Sequence, residues 1–225
     1  MKPICLIAAR KNSKGVPNKN IKKINGKPLI SYAITSALKS KNFQTVIVST
    51  DDKKISEISK KYGAEVPFIR PKKLAMDHTP MNDVILHAIK KLCSMGYNFD
   101  ILVNRDCTAP FVKNSDVKGS IDLLRKKNCD TVVAAYKTHL NPYFNMMEFN
   151  SKKVLEFSKK IGVEVNGRQT APTVFQLTSF QTINVKRFLK NKKIYTSNVL
   201  PFEISPENGL MIDTKFEFKI AECLA

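Results

Sequence analysis

The chain is poor in histidine and glycine, and each shortage excludes a class of site. Its three histidines, His78, His87 and His139, are isolated among 225 residues, so no Ser/His/Asp triad is legible. His87 falls within a helical pattern, where a structural histidine is the simpler interpretation. The eight glycines form neither the Walker pattern nor the Rossmann fingerprint. Triad chemistry and two common glycine-rich nucleotide motifs are therefore excluded.

Cysteine pairs at metal-ligand or redox spacing are also missing, as is any long apolar run. The cysteines are far apart, at Cys5, Cys93, Cys107, Cys129 and Cys223. We therefore expect reduced thiols in a cytoplasmic protein. No segment approaches the ~18 apolar residues of a membrane span, and the apolar run at 4–9 is too short for a signal peptide. These features predict neither export nor a membrane partner.

Positive charge dominates what is present. The chain has 38 Lys+Arg against 19 Asp+Glu, a net charge of +19, which indicates nucleic acid, a membrane surface or a small phosphorylated substrate. Only six of the cations are arginine, and scattered lysine is typical of a general surface bias. No aromatic-interleaved basic strand, recognition helix or zinc spacing is present. A non-enzymatic nucleic-acid-binding protein stays a distant alternative, and we expect no nucleic-acid partner.

Apolar runs alternate with helical patterns along most of the chain. We predict strands at 4–9, 45–50, 66–69, 100–103, 131–136, 180–185 and 199–204, and helices at 28–38, 53–62, 81–92, 115–124 and 214–224. This alternation predicts one α/β domain over 1–225, with a three-layer, mostly parallel sheet whose ligands bind at the carboxyl ends of the strands. Residues 139–168 break the pattern, and we interpret them as a β-hairpin arm inserted in the domain.

The segment after the first strand combines one glycine with several cations. It reads ARKNSKGVPNKN over residues 9–20. Its cations are Arg10, Lys11, Lys14 and Lys19, and Lys22 follows shortly after it. Glycine lets backbone N–H groups approach phosphate oxygens, arginine offers a bidentate fork, and lysine adds a mobile charge. The segment therefore suits a polyanion, although a solvated basic loop would have a similar composition.

Two aspartates follow apolar stretches that end at the same predicted edge of the sheet. Asp106 lies in ILVNRDCTAPF, and Asp213 lies in GLMIDTKFEF before the last helix. Each has a simpler interpretation, Asp106 as a turn aspartate bonded to the backbone of Thr108 and Asp213 as a helix N-cap. Together, beside a cationic loop, they are what Mg²⁺ on a nucleoside triphosphate needs, because magnesium takes hard oxygen ligands with few protein carboxylates.

Seven segments resemble, in order and spacing, the signature of the sialic acid cytidylyltransferase family, the CMP-sugar synthetases. They are ARKNSKGVPNKN at 9–20, VSTDD at 48–52, FIRPKKLAMDHTP at 68–80, DCTAP at 106–110, NPYFN at 141–145, RQTAP at 168–172 and IDT at 212–214. Three of them, DCTAP, NPYFN and RQTAP, are most similar to the legionaminate-type branch. The resemblance covers nearly the whole chain.

The resemblance implies a nucleotide-diphospho-sugar transferase-like fold and a role for each matching residue. Arg10 and Lys19 would be catalytic and hold the triphosphate of CTP, and Asp106 and Asp213 would hold Mg²⁺. The nucleotide-binding residues would be Ala9, Asn20, Arg70, Asp77, Thr79 and Asn82. The acidic nine-carbon sugar would be bound by Asn141, Tyr143, Arg168 and Gln169, and the arm would make a homodimer.

Two departures from the family pattern bear on the metal and the sugar. The family usually ends with two aspartates in D-I-D, but this chain has Met211-Ile212-Asp213, so Asp106 must carry more of the metal. Residues 178–182 read TSFQT where many members have an N-G-A-I-Y-like strand. We expect a cytidylyltransferase that joins CMP to a nonulosonic acid. A cytidylyltransferase for another 2-keto sugar acid such as Kdo stays the alternative.

Overall fold

The computed structural model of the chain describes residues 1–11, 15–163, 165 and 167–225. The described strands are β1 (Ile4–Ala8), β2 (Lys23–Ile24), β3 (Lys27–Pro28), β4 (Thr45–Ser49), β5 (Ile101–Arg105), β6 (Thr131–Lys137), β7 (Met147–Phe149), β8 (Leu155–Phe157), β9 (Phe175–Asn184) and β10 (Val199–Glu203). The described α-helices are α1 (Leu29–Lys39), α2 (Lys53–Lys61), α3 (Met81–Ser94), α4 (Asn114–Lys127), α5 (Val185–Asn191) and α6 (Lys215–Leu224). Part of the predicted phosphate loop, residues 12–14, lies outside the described residues.

The central sheet has the strand order β10-β6-β9-β5-β1-β4. Strand β1 pairs in parallel with β4 and β5, and β10 pairs in parallel with β6. The long strand β9 lies between β5 and β6 and is antiparallel to both. The predicted α/β fold with a mostly parallel sheet is therefore confirmed.

Helices cover both faces of this sheet because the strands are apolar on both sides. In β1, Ile4 and Leu6 pack with α3 and α5, whereas Cys5 and Ile7 pack with α1. Helix α4 covers the β5–β6 part of the same face as α1. Successive side chains of a strand point to opposite faces, so the continuous apolar run of β1 produces a middle layer between two helical layers.

Two sequence predictions differ from the structure, and one helix was not predicted. The strand predicted at 66–69 is wrong, because this segment makes only isolated bridges, such as Thr50 with Ile69, and Pro67 has no N–H for a ladder. The strand predicted at 180–185 begins earlier, at Phe175. Helix α5 was not predicted at all. It begins where the Asn184 side chain accepts a hydrogen bond from the Arg187 N–H.

The predicted hairpin is present between β6 and β9. Strands β7 and β8 pair antiparallel in a two-stranded sheet of their own, with Met147 opposite Phe157. Phe149 in β7 is 71% exposed, so this hairpin has little packing of its own. Within the described residues, no helix is long and apolar enough to cross a membrane.

Candidate functional site

A cleft of 410 Å³ opens at the carboxyl ends of β1 and β5. Ala8 is the last residue of β1, and Asp106 directly follows β5. The charged and polar residues that line the cleft are Arg10, Lys19, Asn20, Arg70, Asp77, Thr79, Asp106, Thr108 and Asp213. The parallel sheet therefore brings cations and carboxylates from distant parts of the chain into one cleft, at the edge where α/β sheets bind ligands.

Gly15 and Lys19 bring the cationic loop against Asp213. A Cβ added at Gly15 would stand 2.0 Å from the Asp213 carbonyl oxygen, so the two backbones approach as only a glycine allows. Lys19 is buried, and its Nζ lies 2.6 Å from the Asp213 carboxylate. The neighbouring Thr214, not Asp213, caps α6, in a capping box with Glu217. The Asp213 carboxylate is therefore available to the cleft.

Arg10 crosses the opening of the cleft to an acidic partner. One of its terminal nitrogens lies 2.7 Å from the Asp77 carboxylate, and both side chains are partly exposed. The Arg10 carbonyl accepts a hydrogen bond of 2.9 Å from the Asn20 side-chain amide. Ion pairs between partly exposed groups contribute little stability, so the Arg10 guanidinium can exchange Asp77 for a phosphate at small cost.

Arg70 is the most deeply buried cation of the cleft. It is 4% exposed, and its Nε has no hydrogen-bond partner among the described residues. Burial lowers the pKa of its guanidinium, and the Asp51 carboxylate acts in the opposite direction. A buried donor without a partner is costly, so a ligand oxygen that accepted from this nitrogen would be stabilising.

Asp106 is held by a bulge in the neighbouring strand. Its backbone N–H donates a 2.8 Å hydrogen bond to the carbonyl of Ser179. Ser179 has a φ of 46°, in the left-handed region, where the β6–β9 register shifts between Val133 and Ala135. Burial, together with the Asp213 carboxylate, raises the pKa of Asp106 from 3.8 to about 7, while Lys19 acts to lower it. The Asp213 carboxylate and the Lys19 ammonium therefore act on Asp106 in opposite directions.

This pair fits a cation that arrives with phosphate, and not a site built from protein alone. Among the described residues, no group of three or more histidine, cysteine or acidic side chains could hold a metal. Mg²⁺ in nucleotide sites commonly has one or two carboxylates and completes its octahedron with phosphate and water. Burial first, and the Asp213 carboxylate second, raise the pKa of Asp106, and a cation bound at this position would oppose both effects.

Comparison with known proteins assigns the family. Residues 4–216 match the family model described as cytidylyltransferase. The chain belongs to the cytidylyltransferase family. It is 34% identical over 225 residues to post-translational flagellin modification protein B of Campylobacter coli, covering 98% of this chain and 94% of that protein. It is also 34% identical over 228 residues to the CMP-N,N'-diacetyllegionaminic acid synthase of Campylobacter jejuni, with the same coverage.

The fold of this cytidylyltransferase is shared with a solved CTP complex. The structure is that of a CMP:2-keto-3-deoxy-manno-octonic acid synthetase complexed with CTP, with a TM-score of 0.76 and 18% identity. The match covers 100% of this chain and 98% of that one. At this identity the likeness establishes the fold. Family membership and the fold together make the chain a nucleotidyltransferase.

Most predicted nucleotide residues of the cytidylyltransferase line the cleft, with two exceptions. Ala9 is buried in the core beside α1, and its backbone N–H pairs with the Ser49 carbonyl. The Asn82 side chain accepts a hydrogen bond of 3.0 Å from the Ile194 N–H, so it braces the loop after α5 and is not among the cleft-lining residues. The family resemblance implied that Asn82 lines the pocket, but its position in the first turn of α3 directs its side chain to the Ile194 N–H.

The predicted sugar-binding residues do not line this cleft. Asn141 is buried at the base of the hairpin, where it donates to the Pro172 carbonyl and accepts from the Tyr143 N–H. Arg168 and Gln169 are exposed. Asn141 is thus engaged in holding the hairpin base together, and the sugar roles of all four residues stay predictions.

Cys107, Thr108 and Ser179 belong to the polar part of the site, and sequence reasoning did not assign them to it. Cys107 and Thr108 line the cleft, Cys107 contacts Asn20, and Ser179 holds the backbone of Asp106. Cys107 lies inside the DCTAP motif, so its position there was a usable signal. Nothing in the local sequence indicates the left-handed conformation of Ser179, since serine is an uncommon residue at positive φ.

Proposed function

We propose that the protein joins CMP to a nonulosonic acid, consuming CTP and releasing pyrophosphate. The names of the full-length relatives support a legionaminic-acid-like substrate more than Kdo, and their family supports an enzyme more than a nucleic-acid-binding protein. The observation that carries the proposal is the meeting of three cations with three aspartates in one cleft: Arg10, Lys19 and Arg70 with Asp77, Asp106 and Asp213. A nucleoside triphosphate needs that combination of charges.

In the proposed reaction the anomeric hydroxyl oxygen of the sugar forms a bond to the α-phosphorus of CTP. The bond from that phosphorus to the bridging oxygen breaks, the hydroxyl proton is lost, and pyrophosphate leaves. Nucleotidyl transfer depends mainly on positioning and charge neutralisation, so Arg10 and Lys19 stabilise the spreading negative charge and Arg70 orients the nucleoside. Mg²⁺ held by Asp106 and Asp213 would supply further charge neutralisation at the phosphates.

We also propose that the cytidylyltransferase is a homodimer joined through the hairpin of β7 and β8. Exposed apolar side chains cluster there, including Met147, Phe149, Val154 and Leu155. An isolated two-stranded hairpin is marginal in water, so these side chains need a covering surface. In a dimer, Arg168 and its neighbours could reach the cleft of the partner subunit. Sedimentation of wild type as a monomer at assay concentration would contradict this arrangement.

A pyrophosphate-release assay tests the proposed function. CTP, UTP and ATP are each paired with legionaminic, pseudaminic and N-acetylneuraminic acids and with Kdo. We expect turnover with CTP and a nonulosonic acid, because a pocket that reads the cytosine edge leaves buried groups unpaired with other bases. Lys19→Ala is the inactive control and should lower the rate by about a hundredfold. Equal turnover with ATP, or a preference for Kdo, would contradict the proposal.

A further inference from the structure

A buried thiol is connected to Arg10 through one amide. The Cys107 Sγ lies 3.1 Å from the Asn20 Oδ1, and the Asn20 Nδ2 lies 2.9 Å from the Arg10 carbonyl oxygen. Cys107 is 5% exposed and Asn20 is also 5% exposed, so water does not compete for these contacts. Cys107 lies in the loop after β5, whereas Arg10 and Asn20 lie at the two ends of the cationic segment that follows β1.

The chemistry of the two partners permits only one orientation of the Asn20 amide. The Arg10 carbonyl only accepts, so it requires the NH₂ group, whereas a protonated thiol donates, so it requires the amide oxygen. A flipped amide would place its oxygen against the Arg10 carbonyl oxygen, and neither oxygen can donate a hydrogen bond. The Arg10 carbonyl therefore sets the orientation of the amide, and the Cys107 thiol anchors the amide oxygen on the other side.

Cys107 can donate this hydrogen bond because an ordinary thiol is protonated at neutral pH. It can also donate to the Ala8 carbonyl at 3.5 Å, the residue that ends β1.

We propose that Cys107 is a positioning residue whose thiol fixes the Asn20 amide, and that this amide holds the main chain of Arg10 so that its guanidinium faces the triphosphate. The kinetic part of this inference rests on the proposed function. The structural part concerns three residues of the protein itself and does not depend on the substrate.

The kinetic test compares Cys107→Ala, which removes the donor, with Cys107→Ser, which restores one. We expect Cys107→Ala to raise KM for CTP about tenfold, since a buried acceptor loses its partner, and Cys107→Ser to recover most of that loss. In an Arg10→Ala background the same change should alter KM less than twofold, because the residue that it positions is gone. An unchanged KM in Cys107→Ala, or an equal loss in both backgrounds, would overturn the proposal.

Cys129→Ala is the matched control for lost packing. Cys129 is fully buried in the core beneath α4, away from the cleft. We expect it to lower the melting temperature as Cys107→Ala does, with KM for CTP unchanged. A tenfold rise in KM for Cys129→Ala as well would mean that general destabilisation explains the kinetics, and would overturn the positioning role.

A measurement without substrate separates failure of this inference from failure of the proposed function. In NMR spectra of the wild-type protein, we expect the Asn20 side-chain NH₂ to show a proton protected from exchange, and Cys107→Ala to exchange it at least tenfold faster. If the wild-type protein shows this protection but does not turn over CTP, the proposed function is overturned and the positioning of Arg10 is supported. Equal exchange in wild type and Cys107→Ala would overturn the positioning, whatever the substrate.

Discussion

The close approach of Gly15 to Asp213 makes Gly15→Ala the most informative single substitution. The added Cβ would stand 2.0 Å from the Asp213 carbonyl oxygen and 3.2 Å from its carbon. Non-bonded carbon and oxygen atoms approach to about 3.3 Å, so the two backbone segments must separate by roughly 1 Å. Neither partner atom is the end of a flexible side chain, so a rotamer change cannot absorb the clash.

We expect this shift to cost activity more than stability. Gly15 is exposed, and the loop that carries it also carries Arg10 and Lys19. A displacement of 1 Å at groups that orient a reacting phosphate can lower the rate about a hundredfold, equivalent to about 2.7 kcal/mol. The assay is kcat/KM for CTP by pyrophosphate release, with the melting temperature measured on the same sample.

Gly119→Ala is the control, with the opposite expected pattern. A Cβ at Gly119 would stand 2.4 Å from the Phe202 Cζ, between α4 and β10 and away from the cleft. This variant should lose stability by about 1–3 kcal/mol through overpacking and keep kcat/KM within twofold. A Gly15→Ala enzyme within threefold of wild-type kcat/KM would refute the reasoning, because the loop would then tolerate displacement from Asp213.

Substitutions at three further positions test the electrostatics and the backbone, two positions at the site and one, Asp130, outside the cleft. Asp106→Asn should stabilise the metal-free protein by up to about 3 kcal/mol more at pH 8 than at pH 5, because a carboxyl whose folded pKa is raised costs stability as pH rises from 3.8 to about 7. An equal effect in urea unfolding at both pH values would contradict this. Ser179→Gly should be at least as stable as wild type, because glycine adopts positive φ without strain. Ser179→Val should lose about 1–3 kcal/mol of stability and raise the magnesium requirement, because a β-branched residue resists positive φ. Equal melting temperatures for the two variants would exclude strain at this bulge. Asp130→Ala should lose about 3 kcal/mol, since its carboxylate accepts from Arg187 at 2.8 Å and from three other side chains, and a loss below 0.5 kcal/mol by denaturant titration would contradict that role.

Local sequence predicted the elements whose signals are local. The apolar runs predict β1 and β4 to within one residue of their observed ends, and the predicted start of α2 at 53 is where Asp52 caps the helix by accepting from the Ile55 N–H. The segment 66–69 is apolar enough to predict a strand, but Pro67 has no N–H for a ladder and no strand forms there. The start of β9 was missed because Gln176 and Leu177 are exposed and the buried residues that follow them, Thr178 and Ser179, are polar, so the first half of the strand has no apolar run.

The direction of β9 and the details of the site depend on tertiary structure. Nothing within residues 175–184 states that the strand runs antiparallel, since that follows from the route of the chain through the hairpin. The charged residues of the cleft were predictable because strand-end positions converge in a parallel sheet. The orientation of Asn82 was not predictable from the sequence. Asn82 lies one residue beyond Met81, which lines the cleft, and one helical step of 100° turns its side chain away from the cleft.

The place of β9 in the sheet has a consequence for how the chain is made. Among the described strands, β9 is the sole connection between the pair β6 and β10 and the group β5, β1 and β4. A ribosome that has finished residue 174 has therefore produced the three-stranded piece β5-β1-β4 and the strand β6, with no strand to join them, and the fully buried strand β5 still has an open edge. Such an edge is a template for pairing with other chains until its partner arrives. A stall or truncation between β6 and β9 should consequently yield aggregates, and closure of the sheet should coincide with assembly of the Asp106 site.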